Sequence, residues 1–136
     1  VISVLVILIG VGVPRIKGMK DAASIVQVKK ELQTLQAATE SYYINNRSSY
    51  IPNTGAFSTQ SIYLTSQAPN IINTVLIDPF SNTSAAYGYG VSSNMRYYVW
   101  FSVGLAGSGA VATIDNSGVV TKTASNVLCI TNGSGC

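Results

Sequence analysis

Residues 1–13 contain ten Val, Ile or Leu and no charge. The ten are Val1, Ile2, Val4, Leu5, Val6, Ile7, Leu8, Ile9, Val11 and Val13. Such a segment is not stable against water, and a small core does not need it in one block. It must be surrounded by something apolar: a bilayer, a ring of sister chains, or each in turn. Thirteen helical residues span about 20 Å, against roughly 30 Å of hydrocarbon in a bilayer. The run is therefore short for a crossing. Pro14-Arg15-Ile16-Lys17 follows it where a secretion signal would place small residues and a cleavage site. The expectation is that the sequence begins partway through a longer apolar helix, with a plain buried core helix as the alternative.

The rest of the composition excludes more than it suggests. At 136 residues there is room for one domain with a modest core. Only 10% of residues are charged, and the net charge of +3 comes largely from Arg15, Lys17 and Lys20 just behind the apolar run. Headgroup phosphates are a natural partner for that cluster; solvated flanking charge is the plainer reading. No basic stripe interleaved with aromatics marks a nucleic-acid module, so no specific nucleic acid is predicted. With no His and five carboxylates (Asp21, Glu31, Glu40, Asp78 and Asp115), no general base or activated nucleophile is evident. Gly88-x-Gly90 and the glycines of 104–109 lack the Lys and following helix of a phosphate cradle, and read as turns. No catalytic residue, cofactor or metal is predicted, and the chain is not expected to be an enzyme.

From Lys17 to Asn46 the period becomes helical. Ile25, Val28, Leu32, Leu35 and Tyr42 fall on one face, with Thr39 completing it. Gln27, Lys29, Lys30, Glu31, Gln33, Gln36 and Glu40 are placed toward water. Pro14 bends or locally opens a helix, and Gly10 and Gly12 lower the cost of unwinding there. The expected element is one rod of about 69 Å with a weak joint at Gly10, Gly12 and Pro14. Residues 47–83 read as a long polar loop with a short helix or strand near 71–77. Strands are predicted at Tyr87–Val91 and Arg96–Val103. The latter sets Tyr97, Val99 and Phe101 against Tyr98, Trp100 and Ser102. Ala110–Asp115 and Val119–Thr123 flank Asn116-Ser117-Gly118 as a hairpin. The domain reading is a helix over 1–46 (1–13 apolar, 17–46 amphipathic) and a head over 47–136. The helix is the natural cover of a small antiparallel sheet.

Cys129 and Cys136 enclose six residues with two glycines. No His is present to complete a zinc site, and an even pair in an exported chain reads as a disulfide that pins the tail. The sequons at Asn46, Asn82 and Asn132 are of the kind chance supplies in so Asn-, Ser- and Thr-rich a chain. The eight tyrosines are assigned to core and turns rather than to electron transfer.

Taken together, the apolar leading helix, Val13-Pro14-Arg15, Leu32-x-x-Leu35 and the Tyr42-Tyr43-Ile44-Asn45-Asn46 end resemble the type IV pilin and pseudopilin family. Asp78-Pro79-Phe80 and Tyr97-Tyr98-Val99 are similar to segments of its bacterial α/β heads. The likeness runs over nearly the whole chain. It implies an α+β fold in which a long N-terminal stalk helix, jointed near Gly10–Pro14, packs its C-terminal half on a small antiparallel sheet. Pro14 matches the stalk-bending proline, Gly10 through Pro14 the segment that opens when subunits join, and Cys129 with Cys136 the C-terminal disulfide. The family's processing site, aromatic first residue and buried glutamate are absent, so by comparison the sequence starts about two helical turns late. Gly104–Gly109 carries no carboxylate where major secretion pseudopilins have a calcium loop. The expected function is that of the major pilin: a structural subunit of a bacterial type IV-like pilus. Its partners would be identical copies, the inner membrane before assembly and a pilus assembly machinery, and its place a filament outside the cell. The alternatives are a secretion pseudopilin and a membrane-anchored binding module.

Overall fold

The computed structural model describes residues 2–52, 54–66 and 71–136, with side chains of the leading helix described at residue 16 and from residue 18 onward. Residues Ile2–Asn45 form one α-helix, α1. On it Val28, Leu32, Leu35, Ala38, Thr39 and Tyr42 are buried, a stripe that returns every three or four residues as a 3.6-residue period requires. Thr39 is tolerated there because its hydroxyl donates to the Leu35 carbonyl at 2.8 Å.

The α+β architecture is present, but the jointed apolar stalk is corrected. The backbone is helical from Ile2 to Asn45, without a break at Gly10, Gly12 or Pro14. A proline removes one N–H bond, and a long helix with intact turns on both sides absorbs that loss. Among the described residues no helix is long and apolar enough to cross a membrane. The described part of α1 carries Lys20, Asp21, Lys29, Lys30, Glu31 and Glu40, charges that a hydrocarbon interior excludes.

Four strands form the main sheet: β1 (Gly55–Ala56), β2 (Gly88–Val91), β3 (Tyr98–Ser102) and β6 (Leu128–Thr131), in the order β1-β2-β3-β6. Every pairing is antiparallel, with Trp100 opposite both Tyr89 and Ile130. Strands β4 (Ala112–Ile114) and β5 (Val120–Lys122) make a separate hairpin. Asp115 Oδ1 closes its turn by accepting from Ser117 N–H at 2.8 Å and Val119 N–H at 2.9 Å. Gly118 holds φ 81° there, and a Cβ at that position would meet the Tyr97 ring.

Both faces of the main sheet are covered. Tyr98 and Trp100 point into the core under α1, whereas Val99 packs with Ala112, Val120 and Val127 under the hairpin. The two-faced alternation of the central strand is therefore present, and the side away from α1 carries a second, smaller core.

Residues Phe57–Thr65 form a second helix, α2, inside the stretch read from the sequence as a loop. Its buried Phe57, Gln60 and Leu64 have helical spacing, a signal hidden among Ser and Thr. The element expected near 71–77 is absent. Ile71 and Ile72 instead donate their backbone N–H groups to Leu64 O at 3.0 and 3.1 Å, closing the end of α2, and Ile77 makes a single bridge to Ala86.

The disulfide joins Cys129 in β6 to Cys136, with Cα atoms 5.5 Å apart. The tail between them lies against the hairpin: Val120 N–H donates to Ser134 O at 2.9 Å, and Ser134 N–H to Gly118 O at 2.8 Å. Gly133 is required by contact, since a Cβ there would stand 2.0 Å from Gly118 O. Reduction is expected to cost about 2.5 kcal/mol and lower Tm by roughly 10 °C, read by calorimetry with and without a thiol reductant. An unchanged Tm would mean that the backbone ladder alone holds the tail.

Candidate functional site

Glu31 and Glu40, placed toward water by the sequence pattern, turn inward and link α1 to the sheet. Tyr87 donates its hydroxyl to Glu31 Oε2. Glu40 Oε1 accepts from Tyr98 at 2.8 Å, and Glu40 Oε2 accepts from Tyr50 at 3.1 Å. Trp100 Nε1–H donates to Thr39 Oγ1 at 2.8 Å. On the same face of the sheet Asp78, itself buried, accepts from the Ser102 hydroxyl at 2.8 Å and Val103 N–H at 2.9 Å, tying its own loop to β3. A buried polar group without a partner costs about 1–3 kcal/mol, so the links through Glu31, Thr39 and Glu40 fix the helix in one register on the sheet.

Burial first, then the Glu40 charge and hydrogen bond, push Tyr50 up to about 12. Tyr87, Tyr89 and Tyr98 move further the same way. For all three burial leads; the Glu31 hydrogen bond comes next at Tyr87, the Glu40 bond at Tyr98 and the Tyr50 charge at Tyr89. Burial also raises Tyr42. Because each folded value lies above the ordinary value near 10, folding favours the neutral phenol. That contribution is whole below pH 10 and is lost as the pH climbs through 10 toward 12 and beyond. Absorbance at 295 nm is expected to show these five tyrosines ionising late, together with alkaline unfolding; all eight titrating reversibly near pH 10 would contradict the packing.

A second stripe runs along the outside of α1. Ile16, Met19, Val26 and Ile44 are 68, 73, 68 and 78% exposed. At 100° per residue they fall within about 80° of one another and about half a turn from Val28, Leu32, Leu35 and Tyr42. Ala23 and Ala37, also exposed, lie on the same face. The helix thus has two opposed apolar lines, one used by its own head. Sequence reasoning found the inner line and missed the outer one, although the spacing of three and seven between Ile16, Met19 and Val26 carries it.

At the C-terminal end of α1 an open cleft of about 760 Å³ lies between Tyr43, the turn at Ser48–Tyr50, the β2–β3 loop at Asn94–Tyr97, and Asn132. Tyr43 and Tyr50 stack with ring centroids 4.4 Å apart. The helix ends without glycine: Arg47 and Ser48 adopt φ 54° and 58°, and Ser48 N–H donates to Tyr43 O at 3.0 Å. Met95, across the cleft, also has positive φ, 54°. Each such residue stores about 1–3 kcal/mol that the surroundings must hold. Asn132 is one anchor, accepting from Tyr98 N–H at 2.9 Å and donating to Arg96 O at 3.0 Å and Tyr50 Oη at 3.2 Å. Asn94 is another. It donates its backbone N–H and its side-chain amide to Asn116, and accepts from the Ser92 hydroxyl and Arg96 N–H.

Of the residues singled out by sequence, Cys129 and Cys136 are bonded to each other. Val1 lies outside the described residues. So do the side chains of the other expected filament-core positions, of Pro14, and of the basic Arg15 and Lys17, while Gly10 and Gly12 are described only as helical backbone. The sequon amides of Asn46 and Asn132 are engaged, Asn46 Nδ2 donating to Tyr42 Oη at 2.7 Å, while Asn82 is exposed. Among the described residues no group of His, Cys, Asp or Glu is placed to hold a metal ion. No protein-family model, curated protein or solved structure matches this chain.

Proposed function

We propose that the chain is a structural subunit, the main pilin, of a bacterial type IV-like filament outside the cell, built from identical copies packed through α1. The observation that carries this reading is the outer stripe of Ile16, Met19, Val26 and Ile44 on a helix whose opposite face is already covered by the chain's own head. Burying a large apolar side chain favours association by about 1.5–3 kcal/mol, and the stripe repeats that gain in every subunit. The apolar run of residues 1–13, of which residues 2–13 lie on the same helix, precedes it and adds to the same drive. A stripe that meets a different surface of the next copy makes a contact that does not close, and such contacts propagate into a helical fibre. The internal links of the head suit this role, since a subunit under load must keep its helix in register.

The test is negative-stain microscopy of the full chain under polymerising conditions, beside a chain lacking residues 1–13. Fibres from the first and none from the second are expected. Monomers alone from the full chain would overturn the reading.

A further inference from the structure

We propose that the cleft at the C-terminal end of α1 binds a saccharide bearing a carboxylate, a uronic acid being the simplest case. This site is separate from the outer stripe and does not rest on the filament reading. Tyr43, stacked on Tyr50 by one ring face, and Tyr97 line its sides half-buried, and an aromatic ring with a polar tip is the surface on which the C–H face of a sugar ring stacks. Arg96 is the one charged residue of the lining and is exposed. Its planar fork matches a carboxylate in a two-bond geometry.

Polar groups in the cleft fall into two sets. The amides of Asn94 and Asn132 are tied into the frame and hold the walls. Among the described residues, the hydroxyls of Tyr43, Tyr97 and Ser48 and the Arg96 guanidinium have no hydrogen-bond partner, and all four residues line the space of about 760 Å³. Hydroxyls both donate and accept, as sugar hydroxyls do. A lone Arg without Lys suits one carboxylate better than a phosphate of higher charge. A peptide is disfavoured because the walls are turns rather than a free strand edge, and Met95 is the one aliphatic anchor. The left-handed Ser48 and Met95 belong to the two turns that line the cleft.

The experiment is a titration of the full-length ¹⁵N-labelled chain, using digalacturonic acid as the probe, with digalactose and acetate as separate arms. Saturable shifts at Tyr43, Ser48, Arg96 and Tyr97 are expected with the acidic disaccharide, and binding about tenfold weaker with digalactose. Arg96→Gln is expected to lose about tenfold in affinity and Arg96→Lys to regain part of it, since Lys keeps the charge without the fork. The Arg96 side chain is exposed and its backbone makes the turn, so both variants keep the native spectrum. Acetate reproducing the shifts would overturn the proposal, reducing the site to a bare anion contact. So would disaccharide shifts that fall elsewhere or fail to saturate, equal binding of digalactose, or undiminished binding by Arg96→Gln.

Discussion

A chain carrying Met19→Glu and Val26→Glu together is expected to fold as the native protein does and to form no fibres. Both side chains are about 70% exposed and on the face of α1 away from the head, so neither contributes to its own core. Surface changes of this kind move stability by about 0.5 kcal/mol or less, which thermal melts followed by circular dichroism would confirm. Between copies the effect is of another size. Each glutamate would be buried against an apolar neighbour without a partner, at a cost of several kcal/mol, once for every contact along the fibre. A polymer held by weak repeated contacts does not survive that. Sedimentation and microscopy read the outcome, and the paired control Met19→Leu with Val26→Ile should polymerise normally. Fibres of native abundance from the double glutamate chain would show that the outer stripe is not the contact.

Trp100→Ala is expected to remove about 4 kcal/mol of stability, close to the whole margin of a small domain. Trp100 is fully buried in β3, the strand that carries both cores. Its ring meets Phe57 edge-on at 5.4 Å and Tyr89 at 4.5 Å, so it touches both α2 and the neighbouring strand. Its Nε1–H also ends the chain of hydrogen bonds through Thr39 to Leu35 in α1. Trp100→Phe keeps an apolar ring but loses that donor and part of the volume. It is expected to cost about 1.5–2 kcal/mol. Urea unfolding followed by circular dichroism separates the two, since removing the sole tryptophan abolishes the natural fluorescent probe. If both variants lost the same stability, the hydrogen bond rather than packing would be holding this position.

Much of the head was legible from residue order. The inner stripe of α1 was readable because Val28, Leu32, Leu35 and Tyr42 repeat at the helical period, and all are buried. The central strand was readable because Tyr98-Val99-Trp100 alternates between two faces. Helix α2 was not read, because Ser58, Thr59, Ser61 and Thr65 dilute its three anchors and two of those residues bond back to their own backbone. The cleft was also out of reach. Tyr43, Ser48, Arg96 and Asn132 come from three separate stretches of chain, and nothing in their sequence spacing brings them together.

Periodicity, composition and the cysteine count belong to the chain itself, because they express how a backbone must turn to hide apolar groups and where a disulfide can close. Those local rules were enough for an amphipathic helix over a small antiparallel sheet with a pinned tail. They did not decide whether Glu31 and Glu40 meet water or tyrosine, whether the far side of the sheet is wet or covered, or that α1 runs unbroken past Pro14. Each of those depends on what arrives from elsewhere in the chain, or on the sum of many turns against one defect. Local preferences of a fraction of a kcal/mol yield there to burial and hydrogen bonds worth several.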